Sequence, residues 1–104
     1  MNTSHKTNDF ISDIIFSTGL RIESLLIHEK RLLFFLNSKQ VLIDSIDHHE
    51  RLKNATISQL KEYRLISQGM GIHWPTLDED LSLHGLLNDY FTKIFHDQRE
   101  LVIA

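Results

Sequence analysis

Seven histidines and one run of three acids are the residues of this 104-residue sequence best equipped for chemistry. Histidine titrates near pH ~6.5 and ligates metals, so seven of them make the net charge pH-sensitive and raise the question of a ligand set. Their spacing argues against one. His49-Glu50 opens like a zinc-protease helix, but Lys53 stands where the second histidine ligand is required. His48 and His49 are adjacent, and side chains one residue apart on a helix do not face each other. They read as solvated surface groups. His73 differs because of its neighbours, Trp74 and Pro75, with Asp78, Glu79 and Asp80 just beyond. A metal or acid–base site built from His73, Asp78 and Asp80 is one reading of this stretch. Asp78, Asp80 and Ser82 imitate the opening of a calcium loop, yet Leu83 replaces its glycine and Asp89 its closing glutamate. In the plainer reading, the acids solubilise a loop and favour the N-terminus of the following helix.

Other chemistries lack their residues. With no cysteine, thiol nucleophiles, disulfides and zinc ribbons are excluded. Gly69-Met70-Gly71 has Trp74 where a dinucleotide fingerprint needs its third glycine, so these glycines read as turn residues. No nucleophile elbow or phosphate-loop lysine occurs. The sequence therefore reads as non-enzymatic, with no cofactor. Trp74 is the sole tryptophan and Pro75 the sole proline. They form either a buried Trp with its N–H bonded or a rigid anchor for a partner protein.

Charge narrows the partners. Eleven basic against fourteen acidic residues leave −3, which disfavours phosphate-backbone binding, and there is no basic helix to read nucleic acid directly. No apolar run approaches a bilayer span. The polar start MNTSHKTNDF lacks the apolar centre of an export signal, and a cytoplasmic location is the expectation. Residues 1–19 read as a flexible or variable segment, followed by one domain over 20–104.

The elements that must position these residues follow from periodicity. Leu20–Ile46 contains three apolar stretches separated by two short polar breaks, which predicts an antiparallel meander. Phe10–Phe16 is ambiguous between helix and strand. Asp47 with Glu50, and Thr56 with Gln59, have capping-box spacing and predict short helices over 48–53 and 57–62. Tyr63–Ser67 reads as a further strand. From Ser82, a helix over about 82–99 carries Leu83, Leu86, Leu87, Tyr90, Phe91, Ile94 and Phe95 at three- and four-residue spacing. The expected architecture is α+β: a three- to four-stranded antiparallel meander sheet packed by two short helices and a longer C-terminal helix. The stripe formed by Tyr90, Phe91, Ile94 and Phe95 is wider than one packing contact requires. It predicts a surface for a partner or a second copy, and the sheet edge invites strand pairing between protomers.

The run from Ala55 to Leu87 resembles a family of small bacterial proteins, domain-of-unknown-function family 2442. The matching residues are Ala55, Thr56, Gln59, Tyr63, Gly69, Gly71 to Pro75, Leu77 to Ser82, and the Leu86-Leu87 pair. The second hairpin turn departs from the family's Asp-Gly-Arg, having Asn37, Ser38 and Lys39. The resemblance implies a small α+β fold and no catalytic activity. By gene association it also implies an antitoxin-like role beside a RelE-like ribonuclease toxin. The resulting expectation is an interaction protein contacting a small basic toxin or itself through His73, Trp74, Pro75, Asp78, Glu79, Asp80, Tyr90, Phe91, Ile94 and Phe95. The alternatives are the metal or enzyme site above and a structural homodimer.

Overall fold

Alternating side chains and two tight turns make Ile22–His28 (β1), Arg31–Leu36 (β2) and Val41–Ser45 (β3) an antiparallel sheet in the order β1-β2-β3. The computed structural model describes residues 9–103. Glu29 and Lys30 close the first hairpin with φ of 47° and 65°, the left-handed pair that matches the right-handed twist of a two-residue hairpin. Register fixes two faces. Leu25, Phe34 and Leu42 align across the inner face, while Leu26, Leu33 and Ile43 align across the outer one.

A second antiparallel sheet follows, β4 (Arg64–Ile66), β5 (Gly71–Trp74) and β6 (Glu79–Ser82), in that order. The α+β class is as expected, but the strands divide between two three-stranded sheets. The acidic run is not simply a loop, because Glu79 and Asp80 open β6. A positive φ of 52° at Asp78 turns the chain back, and Trp74 then pairs with Glu79 and His73 with Asp80.

Among the short helices, only one predicted capping box forms. Thr56 Oγ1 accepts from the Gln59 amide at 3.1 Å, and Gln59 Oε1 accepts from the Thr56 amide at 2.9 Å. This starts α3 (Ile57–Leu60). The Asp47–Glu50 box does not form. Ser45 Oγ instead accepts from the Asp47 amide, a 3₁₀ turn occupies Ile46–His48, and α2 (Glu50–Lys53) starts after an extended His49.

Residues 10–18 also depart from the expected loose segment; residues 1–8 of that segment lie outside the described residues. Phe10–Thr18 is a helix, α1, which buries Ile11 and Ile15. Asp9 caps it by accepting from the Ser12 amide at 3.3 Å and the Ser12 hydroxyl at 2.6 Å. The same carboxylate meets His84 Nε2 at 2.6 Å, tying α1 to the last helix, α4 (Leu83–Ile103). Ser82 Oγ accepts from the Gly85 amide at 2.9 Å, the cap its sequence position predicts.

One core joins the layers. Phe34 and Leu32 of the first sheet, Ile72 and Trp74 of the second, Leu52 of α2 and Leu83 of α4 are all fully buried within it. Among the described residues, no helix is long and apolar enough to cross a membrane.

Candidate functional site

The predicted site residues separate into two groups. Trp74 is completely buried, and its indole N–H donates to the Leu60 carbonyl at 2.9 Å. It is a core residue with its N–H bonded, the first of the two readings, so its place among the expected partner-contacting residues is corrected. Pro75 is exposed at the following turn, and no peptide bond among the described residues is cis.

His73, Asp78 and Asp80 do not converge. His73 Nδ1 bonds the Asp80 carboxylate across the β5–β6 ladder. Asp78 turns the other way, where its backbone carbonyl and carboxylate both accept from Arg51 Nη1 on α2. Glu79 is half-buried opposite Trp74. Among the described residues, no three His, Cys, Asp or Glu side chains form a group able to hold a metal ion.

The second group comes together. On α4, Leu83, Leu86 and Leu87 pack into the core, and the stripe then runs outward. Phe91 stacks on Phe95 at 6.2 Å and tilts against Phe10 of α1 at 5.7 Å. Tyr90 and Phe95 remain 47% and 54% exposed. Between this helix and β3 lies a groove of about 610 Å³. Its apolar walls are Val41, Leu42 and Ile43 on one side and Leu86, Tyr90 and Ile94 on the other. A smaller hollow of about 370 Å³ shares Val41, Leu42 and Tyr90 and reaches α1 through Ile14.

The two edges of the first sheet are treated differently. Along β1, the Tyr63 hydroxyl accepts from the Leu25 amide at 3.4 Å and donates to the Leu25 carbonyl at 3.2 Å, occupying that edge. Among the described residues, β3 has no strand on its outer side. An unpaired edge beside an apolar groove is a template for another chain.

One polar cluster in this groove escaped the sequence reading. Asp44 Oδ1 meets His48 Nδ1 at 2.8 Å, and Asp44 Oδ2 meets His49 Nε2 at 2.6 Å. The adjacent histidines converge because they are not on one helix: His48 ends the 3₁₀ turn and His49 is extended. The four-residue spacing of Asp44 and His48 was the available signal, and it is weak. Burial pushes the Asp44 carboxyl up, but hydrogen bonds from His49, His48 and the Ser45 amide outweigh it and hold the group below its ordinary value. A depressed carboxylate stabilises the fold above its unfolded-state pKa of ~3.9 and loses that contribution as pH falls through the folded value. Unfolding free energies measured in urea from pH 7 to pH 3 are therefore expected to fall more steeply below pH ~4 for the natural protein than for Asp44→Asn. Parallel acid limbs are the contrary result.

Residues 22–92 match the family described as "Protein of unknown function (DUF2442)". The chain belongs to this family. The family region of this DUF2442 chain takes in both sheets and α4 as far as Thr92, so β3, Asp44 and Tyr90 lie inside it and Ile94 and Phe95 just beyond. No curated protein matches the chain. An uncharacterized protein from Chromobacterium violaceum, solved by solution NMR, is similar over 85% of this chain and 82% of its own, with 24% identity and a TM-score of 0.63. A crystal structure of a protein of unknown function from Rhodospirillum rubrum shares 29% identity over 67% of this chain and 87% of its own, with a TM-score of 0.61. The first likeness concerns the fold alone.

Proposed function

We propose that this DUF2442 protein is a non-enzymatic interaction protein that binds a small basic protein, in an antitoxin-like role toward a RelE-like ribonuclease toxin. The observation that carries the reading is the groove, where an unpaired strand edge and an apolar helix face border the same 610 Å³ space. An extended segment laid along β3 gains main-chain hydrogen bonds, and its alternate side chains enter the space beside Tyr90 and Ile94. In that groove Asp44 is engaged by His48 and His49 while Asp89 lies beside Lys93, and the whole chain carries −3. That balance favours a cationic partner and speeds its encounter. The family resemblance, with its association to RelE-like toxins, supports the same class of partner. Nothing in the placement of His73, Asp78 and Asp80 favours the metal or enzyme alternative.

The test is co-expression with the RelE-like product of a neighbouring gene. A complex that survives size-exclusion chromatography and silences the ribonuclease is expected. The double variant Tyr90→Ala, Ile94→Ala should weaken it at least about tenfold, since buried aromatic contacts dominate such interfaces. A ribonuclease that remains active, with no complex formed, ends this reading.

A further inference from the structure

An antiparallel sheet covered on one side ordinarily shows a polar outer face. The outer face of β1–β3 does not. Leu26, Leu33 and Ile43 sit opposite one another in a single row across all three strands. Leu26 is 51% exposed, Ile43 is 60% exposed and Leu33 is half-buried between them. The next row holds Ser24, half-buried Phe35 and exposed Val41. The row on the other side is polar: His28, Arg31 and Ser45. The helices and the shared core lie against the opposite face, so this one is a second apolar surface, distinct from the groove's α4 wall.

We infer that this outer face joins two copies of the chain back to back, about a two-fold axis that crosses the strands at the central row. With the axis there, Leu26, Leu33 and Ile43 of one copy meet the same three residues of the other. The polar row of each copy then lies over the Ser24–Phe35–Val41 row of its partner. That places the Arg31 guanidinium and its stem over an aromatic ring, a favoured cation–π pairing. It also brings His28 and Arg31 towards Glu23, which is exposed at the bulge where β1 shifts register between Ile22 and Ser24. The Arg31 and Glu23 charges thus face each other between identical copies, as a closed isologous contact allows. The Arg31 guanidinium in the polar row disfavours a basic protein here.

Size sets the strength. Three strands by three cross-strand rows cover about 15 by 20 Å. Two such faces have a combined projected area of about 600 Å², below that of stable specific interfaces, so the dimer is weak and reversible. Pairing this way covers Val41 and Ile43, which also border the groove, but leaves its α4 wall of Leu86, Tyr90 and Ile94 outside the contact.

Sedimentation equilibrium of the full chain tests it. The average mass is expected to rise with concentration towards twice the chain mass. Leu26→Lys and Ile43→Lys each place like charges across the axis and should weaken association at least about tenfold. Both positions are more than half exposed, so folding should be retained, and a far-UV circular dichroism spectrum matching the natural protein checks this. Tyr90→Ala, on the groove, should leave the dimer intact. A natural protein that is monomeric at about 100 μM overturns the inference. So does a dimer that survives both lysine variants, or one that is lost with Tyr90→Ala instead.

Discussion

Trp74→Ala is expected to lower the unfolding free energy by about 3–5 kcal/mol, the range for emptying a buried large aromatic site. Folded domains of this size have only about 5–15 kcal/mol in total, so the variant should be partly unfolded at moderate temperature. Two effects add. Trp74 is completely buried in the shared core, so alanine leaves a cavity that close-packed neighbours cannot fully fill. The indole N–H also satisfies the Leu60 carbonyl at the end of α3, and alanine leaves that buried acceptor without its donor. Trp74→Phe separates them. It keeps most of the apolar volume and loses the hydrogen bond, so its cost should be about 1–3 kcal/mol. Urea unfolding followed by circular dichroism is the suitable measurement, because Trp74 is the sole tryptophan and fluorescence disappears with it. A loss below about 1 kcal/mol for Trp74→Ala contradicts the burial described above.

Gly69→Ala should cost about 2–4 kcal/mol, although it adds only one methyl group. Gly69 has φ of +98°, where side chains are strained. A Cβ at this position sits 2.4 Å from the Ile22 carbonyl oxygen, far inside van der Waals contact and against backbone that cannot swing aside. This is the point where the turn before β5 crosses the start of β1, so relief requires the two sheets to separate. Gly19 provides the control. It ends α1 with φ of +69°, but a Cβ there meets nothing within 4 Å. Gly19→Ala therefore carries only the left-handed backbone cost of about 1–2 kcal/mol. Equal losses in the two variants, measured by the same unfolding curves, contradict the close approach at Gly69.

These sites show how legibility in this chain depended on distance. The meander was readable because two short breaks leave neighbouring strands no other pairing. Thr56 and Gln59 announced their cap because both partners lie within one turn. The Asp47–Glu50 pair had the same spacing and failed, since Ser45 captured the Asp47 amide first and a 3₁₀ turn displaced the helix start. Strand β6 was hidden because only Leu81 among its four residues is apolar, too few to establish a period. The helix α1 was hidden for another reason. Part of what holds it is a bond from Asp9 to His84, 75 residues away.

The residue pattern alone determined the α+β class, the three-stranded meander, the turn at Gly69 and an α4 stripe too wide for one contact. These follow from period, chain length between breaks and backbone preference, all of them local. Tertiary structure decided which face each residue serves. It buried Trp74, and sent Asp78 to Arg51 and Asp80 to His73. It also closed the β1 edge with Tyr63 while leaving β3 open beside Tyr90 and Ile94. Those outcomes rest on contacts between segments that local periodicity does not connect. An apolar side chain specifies burial of its surface, and the packing of the other elements selects the surface that buries it.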